Sequence, residues 1–143
     1  MNLEFFLDKI KTIALANSFK TAKDKLLFDG MVADTELPSL LIELKEAERG
    51  GEGLNIKYEH NLVFHFLINR TSQEPAIAIL DLISALNNAI LNDFQLKGKI
   101  EEGSLNISDI DYSNEIGGLE KREFFSATQN IKFTTNGYGK GSC

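Results

Sequence analysis

Cysteine and long apolar runs are scarce in this chain, and each scarcity excludes a class of protein. The 143 residues contain one cysteine, Cys143, so an intrachain disulfide and a multi-cysteine metal site are both excluded. No apolar run approaches the roughly 20 residues of a membrane-spanning helix. The first segment, MNLEFFLDKIK, contains acidic residues and has no cleavage-site pattern. We therefore expect a protein that is made in the cytoplasm and has no membrane segment.

Basic charge is scarce as well. The formal net charge is −6 and the isoelectric point is near 4.9, whereas proteins that grip nucleic acid through its phosphates usually carry a basic patch. One candidate patch exists, in FKTAKDKLL, and it consists of Lys20, Lys23 and Lys25, interrupted by Asp24. Three such lysines more often lie on a solvated helix end or loop. We predict that the protein does not bind nucleic acid tightly.

Two segments have the periodicity of amphipathic helices. In residues 3–17, the apolar residues that share one face are Leu3, Phe6, Leu7, Ile10, Ile13 and Ala14. In residues 75–92, PAIAILDLISALNNAILN, they are Ile79, Leu82, Ile83, Leu86 and Ile90, and Pro75 suits the first helical position. Phe5 and Leu15 lie off the first helix's apolar face. They are either isolated surface residues or part of a contact with another subunit.

A long antiparallel hairpin is predicted between these helices. In SLLIELKEAE, Leu40, Ile42 and Leu44 alternate with other residues, and a glycine-rich turn leads to the alternating segment NIKYEHNLVFHFLI. The second half of that strand is apolar on both faces, which predicts that it is covered on both sides. Because the hairpin is too long to be hidden, we expect its tip, residues 46–56, to project. The tip, which either stays solvated or meets a partner, carries Glu46, Glu48, Arg49 and Glu52.

The remaining segments complete an α+β domain. Residues 18–37 carry weak signals and are predicted to be a connection. Strands are predicted over residues 104–112, with a bulge before Ile110, and over residues 124–135. The order is therefore α-β-β-α-β-β, a mostly antiparallel sheet with two helices packed on it. We predict a single domain over residues 1–135 and a flexible glycine-rich tail over residues 136–143.

No segment has the pattern of a catalytic or cofactor site, so we expect neither an enzyme nor a bound cofactor. The closest approach to a metal site is an imitation of a calcium-binding loop that contains Asp109, Asp111, Ser113 and Glu120. Asn114 stands where such a loop needs glycine, and the preceding segment reads as a strand, so an acidic hairpin loop is the better interpretation. His60 and His65 point to opposite faces of a regular strand and cannot share a metal. His60 reads as a core histidine with one satisfied nitrogen.

The element order and lengths resemble the tail terminator proteins of long-tailed bacteriophages. The similar segments are LEFFLDKIKTIALA, ELPSLLIELKEAE, NIKYEHNLVFHFLI, SLNISDIDY and REFFSATQNIKFTT, which together span residues 1–135. The resemblance implies a structural virion protein, located at the head-proximal end of the tail, that forms a homo-hexameric ring. Its implied partners are further copies of itself, the tail tube protein and the head–tail connector, and DNA would pass through the lumen without specific binding.

Two other functions fit the same residues. One is a different head–tail adaptor or minor tail protein. The other, from a different class, is a small cytoplasmic protein that binds a ligand or calcium.

Overall fold

The sheet and helices of the predicted α+β domain are present in the computed structural model, which describes residues 2–24, 37–51, 56–69, 74–98, 100–101, 103–113 and 124–136. The elements are α1 (Asn2–Ala16), β1 (Thr21–Asp24), β2 (Ser39–Gly50), β3 (Lys57–Asn69), α2 (Pro75–Leu91), α3 (Phe94–Lys97), β4 (Asn106–Ser113) and β5 (Phe124–Asn136). The strands form one sheet in the order β1-β2-β3-β5-β4. All pairs are antiparallel except β1 with β2. The predicted fold class is confirmed.

Two short elements were not predicted. Residues 21–24, inside the expected connection, form β1 and pair with β2 over Ser39–Ile42. Four residues are too few for alternation to be recognised, and the neighbouring strand supplies the hydrogen bonds that hold them extended. The helical turn α3 is equally short, and Asp93 caps it by accepting a hydrogen bond from the backbone N–H of Leu96 at 2.8 Å.

The core lies between the two long helices and one face of the sheet, which we call the helix-covered face. Alternate residues of β3 contribute Leu62, Phe64, Phe66 and Ile68 to it. Helix α1 contributes Phe6, whose ring stacks on that of Phe133 in β5 with 3.8 Å between the ring centroids. Helix α2 begins at Pro75, as predicted. Of its predicted apolar series it buries Ile79, Ile83, Leu86 and Ile90, and Leu82 is partly buried. No described helix is both long and apolar enough to cross a membrane.

The opposite face of the sheet is covered at one end. Leu67 of β3 and Leu41 of β2 point to this face and are buried, as are Ser39 and Ser126. Strand β3 is therefore buried on both faces around Leu67, whereas Val63 and His65, which precede it on this face, are only partly buried.

The predicted bulge in the second hairpin is also present. The register of β4 against β5 shifts between Ile107 and Ile110. Gln129 bridges the two strands at this shift. Its side-chain Nε2 donates a hydrogen bond to the backbone oxygen of Ser108 at 2.9 Å. The predicted flexible tail lies outside the described residues, apart from Asn136, which ends β5.

Candidate interaction surface

The outer half of β2 forms an exposed strand edge. Strand β1 pairs only with Ser39–Ile42, so among the described residues Leu44–Gly50 has a partner strand on one side only, which is β3. Every side chain of Leu44–Gly50 is exposed. We call this stretch the edge segment. A strand with one free edge presents unpaired backbone groups that another chain can pair with, and natural proteins limit this with charged side chains and bulges.

The edge segment has both of these features. It carries Lys45, Glu46, Glu48 and Arg49, and the register against β3 shifts between Leu44 and Glu46, so that Lys45 is the extra residue of a bulge. Leu44, predicted to alternate into the core with Ile42, is 44% exposed. Leu44 borders a hollow beside the first turn of α1, so this side chain is only partly covered.

Three of the four predicted tip residues lie in this segment. Glu46 pairs with Asn61, and Glu48 pairs with Glu59, so two carboxylates stand directly opposite each other. Like charges at such a position are destabilising. Arg49 pairs with Tyr58, and Glu52 lies outside the described residues. These four remain interface predictions.

The hairpin is less free-standing than the sequence predicted. Strand β5 continues to Asn136 and pairs with Lys57, so a third strand supports the hairpin almost to its turn. On the helix-covered face this region is buried, because His60 is 3% exposed and Thr135 is 1% exposed. The exposed part of the hairpin is therefore the edge segment, and the strand beside it belongs to the body of the domain.

His60 is a core histidine, as predicted. Its Nε2 lies 2.8 Å from the hydroxyl oxygen of Thr135, and its ring lies 5.0 Å from that of Phe133 between centroids. Burial lowers the pKa of His60 below its ordinary value of 6.5, because water solvates the imidazolium ion better than this apolar environment does. The side chain is therefore neutral at neutral pH.

A hollow of about 160 Å³ opens beside His60, at the bulge. It lies between the first turn of α1, the edge segment and β3, and its lining residues are Leu3, Leu44, Lys45, Glu46, Ala47, His60 and Leu62. Because most of these side chains are apolar and His60 is neutral, the hollow suits an apolar side chain better than a charged group.

His65 has a carboxylate partner that the sequence did not reveal. Its Nε2 lies 2.8 Å from Glu43 Oε1, on the face of the sheet opposite the helices. The two residues are 22 positions apart, and only the strand register, which pairs Leu41 with His65, brings them together. Both side chains are partly exposed, so this pair contributes little to stability.

The two apolar residues predicted to lie off the face of α1 differ in exposure. Leu15 is 54% exposed, whereas Phe5 is partly buried. Both remain interface predictions. A larger apolar exposure was missed by the sequence reading: Phe94, the first residue of α3, is 85% exposed. Its position could not be assigned before α3 itself was known.

The calcium-loop candidates are partly described. Asp109, Asp111 and Ser113 belong to β4, and Glu120 lies outside the described residues. An extended strand directs successive side chains to opposite sides, whereas a calcium-binding loop curls them around one ion. These three residues therefore do not have the backbone of such a loop. Among the described residues, no group of three or more metal-ligating side chains is assembled.

Comparisons with known proteins add the following. No protein-family model matches the sequence, and no curated protein is significantly similar to it. A solved structure that resembles the chain is a component of the virion of a native gene transfer agent particle, with 12% sequence identity and a TM-score of 0.48. The match covers 94% of this chain and 92% of the other. At this level of similarity no functional conclusion follows.

Proposed function

We propose that this chain is a structural virion protein that assembles with itself into a ring, ends a tail tube and joins it to the head connector. The observation that carries the proposal is the edge segment, a stretch of seven residues with exposed, mostly charged side chains that, within the described part of the chain, pairs only with β3. The tail terminator proteins that the sequence resembles form hexameric rings, and we adopt that stoichiometry as part of the proposal.

The physical argument concerns the kind of contact that a ring requires. Head-to-tail association uses two different surfaces of one chain and closes into a ring when the rotation between copies permits it. The two edges of this sheet differ, because β2 and β4 form them along most of its length. A sheet with two unlike edges offers the two unlike surfaces that this kind of contact needs.

The charge of the chain is consistent with a lumen that DNA traverses. A net charge of −6 provides no excess of cations for phosphate contacts, so DNA would pass without being held. The proposed role is structural rather than catalytic.

Antibody labelling of purified particles in the electron microscope tests the location. We expect label at the head-proximal end of the tail. Label at the other end of the tail would favour a different adaptor or minor tail protein. Absence of label from particles, with the protein recovered only from the cytoplasm, would contradict a virion role.

Variants of the edge segment test whether its charged residues are needed for assembly into particles. The triple variant Glu46→Ser, Glu48→Ser, Arg49→Ser alters exposed side chains only and should fold, but should fail to enter particles. The matched control is Asp81→Ser, Ser84→Ala, Asn88→Ser, which changes exposed polar residues of α2 and should enter particles normally.

A further inference from the structure

The first observation is a row of apolar side chains on the exposed side of α2. Ile77 is 54% exposed, Leu80 is 38% exposed and Leu91 is 43% exposed. With Ser84 and Asn87 between them, they follow one another at alternating steps of three and four residues. This is the spacing with which one helix packs along another in a coiled coil. We call these five residues the α2 stripe.

The second observation is an unpaired polar atom within the α2 stripe. Among the described residues, the side-chain oxygen of Asn87 is buried and accepts no hydrogen bond. Leaving such a group unpaired costs free energy. Because Asn87 as a whole is only partly buried, a rotation of its amide can turn the oxygen towards a donor on another chain.

The third observation concerns charge, and it selects the partner. Copies of a chain with a net charge of −6 repel one another, yet Asp81 is the one charged residue among the 17 of α2. A second copy can therefore approach along α2 with little repulsion, and its own α2 stripe offers matching apolar side chains. Helix α2 is already folded on the sheet, so the contact orders little additional chain.

From these observations we infer that two unassembled copies of this chain pair through the α2 stripe, with their α2 helices antiparallel about a two-fold axis. In the register that matches like residues, Leu80 lies opposite the partner's Leu91. Ser84 lies opposite the partner's Asn87, where its hydroxyl can donate to the unpaired oxygen. The two Asp81 residues are then about 14 Å apart along the helix axis, which exceeds the Debye length of about 8 Å at physiological salt.

The pairing is expected to be weak. From Ile77 to Leu91 the α2 stripe extends over about 21 Å of helix, and a contact of this length is smaller than the standard interface of about 1,600 Å². A weak pair separates readily when its copies enter a larger assembly. The inference goes beyond the proposed function, because it concerns the chain before assembly and does not involve the edge segment.

Sedimentation equilibrium of the purified chain, up to a concentration of about 1 mM, tests the pairing. The wild type should approach twice its 15.9 kDa mass. Leu80→Glu and Leu91→Lys each place a charge against an apolar side chain in both leucine contacts, so each should weaken pairing at least about tenfold. The matched control is Leu15→Glu, at a leucine of α1 that is 54% exposed, and it should pair like the wild type.

An equimolar mixture of Leu80→Glu and Leu91→Lys tests the register. When one variant pairs with the other in the antiparallel register, the new carboxylate lies opposite the new ammonium group and the second contact keeps both leucines. The mixture should therefore recover dimers that neither variant forms alone. A parallel pair would keep the two new charges apart, so a mixture without dimers would overturn the inference. Circular dichroism of each variant checks that it is folded.

The outcomes separate this inference from the proposed function. A wild-type chain that stays monomeric at about 1 mM but enters particles would overturn the inference alone. Leu80→Glu that pairs like the wild type would also overturn it. Wild-type chain that binds tail tubes through the α2 stripe, with the binding lost in Leu80→Glu and no dimers formed, would assign the stripe to the tube protein instead. Dimers of a chain that is absent from particles would overturn the proposed function alone.

Discussion

His60 shows how a single polar residue is accommodated in the core of this protein. It lies on the helix-covered face of β3 among apolar side chains, and the hydroxyl of Thr135 is 2.8 Å from its Nε2. A buried polar group without a partner would cost a few kcal/mol, so this hydrogen bond lets the histidine stay in the core. The alternation of β3 predicted the face on which His60 lies, but its partner, 75 residues away, could not be identified without the register of β5.

The stability of the protein should therefore depend on the protonation of His60. Burial lowers the pKa of His60 in the folded state below 6.5, so the unfolded chain binds this proton more readily than the folded chain does. Stability contributed by the neutral histidine is present above pH 6.5 and is lost as the pH falls from 6.5 through the lower folded-state pKa. Chemical denaturation at a series of pH values should show this fall in the free energy of unfolding.

Two variants isolate the contribution of His60. His60→Gln cannot be protonated and should lose this part of the pH dependence, whereas His65→Gln keeps His60 and should retain it. An identical pH dependence in His60→Gln and the wild type would show that burial of His60 does not carry the effect.

Phe6 is the largest of the fully buried side chains of α1. It is fully buried and stacks on Phe133. Phe6→Ala should lower the free energy of unfolding by about 3–5 kcal/mol, because it removes a large apolar group and leaves a cavity. Leu15→Ala, at a position of the same helix that is 54% exposed, should change it by less than about 0.5 kcal/mol. Denaturant titrations of both variants measure the difference, and similar losses would contradict the placement of α1.

Among the elements, the edge segment contains an unfavourable pair of like charges. Glu48 stands opposite Glu59 on the neighbouring strand. Opposite-charge pairs at such positions stabilise a sheet, and like charges destabilise it. The unfavourable pair lies on the surface to which we assign a binding role.

Glu48→Lys should therefore stabilise the isolated protein. The expected gain is about 0.2–1 kcal/mol in the free energy of unfolding, and it should shrink as salt is added because both side chains are exposed. Glu46→Lys, opposite Asn61, should gain less. Unfolding curves at low and high salt check the prediction, and a loss of stability in Glu48→Lys would contradict the observed register.

The elements that sequence reasoning identified are those with sustained periodicity. Helix α2 extends over 17 residues and β3 over 13, which gives several repeats of period 3.6 or 2. Strand β1 and helix α3 have four residues each, which is about two repeats for a strand and one for a helix and is too short to recognise as a pattern. They exist because neighbouring elements hold them, and this information is not local to their sequences.

At the scale of the whole molecule, only part of the candidate site could be predicted from the sequence, because the rest depends on contacts between distant segments. The charged residues of the edge segment could be predicted, because a strand longer than its core must leave side chains exposed. The hollow could not, because it forms only where α1 meets the bulge between Leu44 and Glu46. Tertiary placement, rather than residue type, brings the residues that line the hollow together.

The central claim is that this chain assembles on the end of a tail tube, and electron microscopy of polymerised tail tube protein mixed with the purified chain tests it most directly. The account predicts a ring on one end of each tube and tubes that stop growing once the ring is bound. A bound ring of six copies would have six times the 15.9 kDa mass of the chain. Tubes that elongate normally with bare ends at every concentration of the protein would contradict the account.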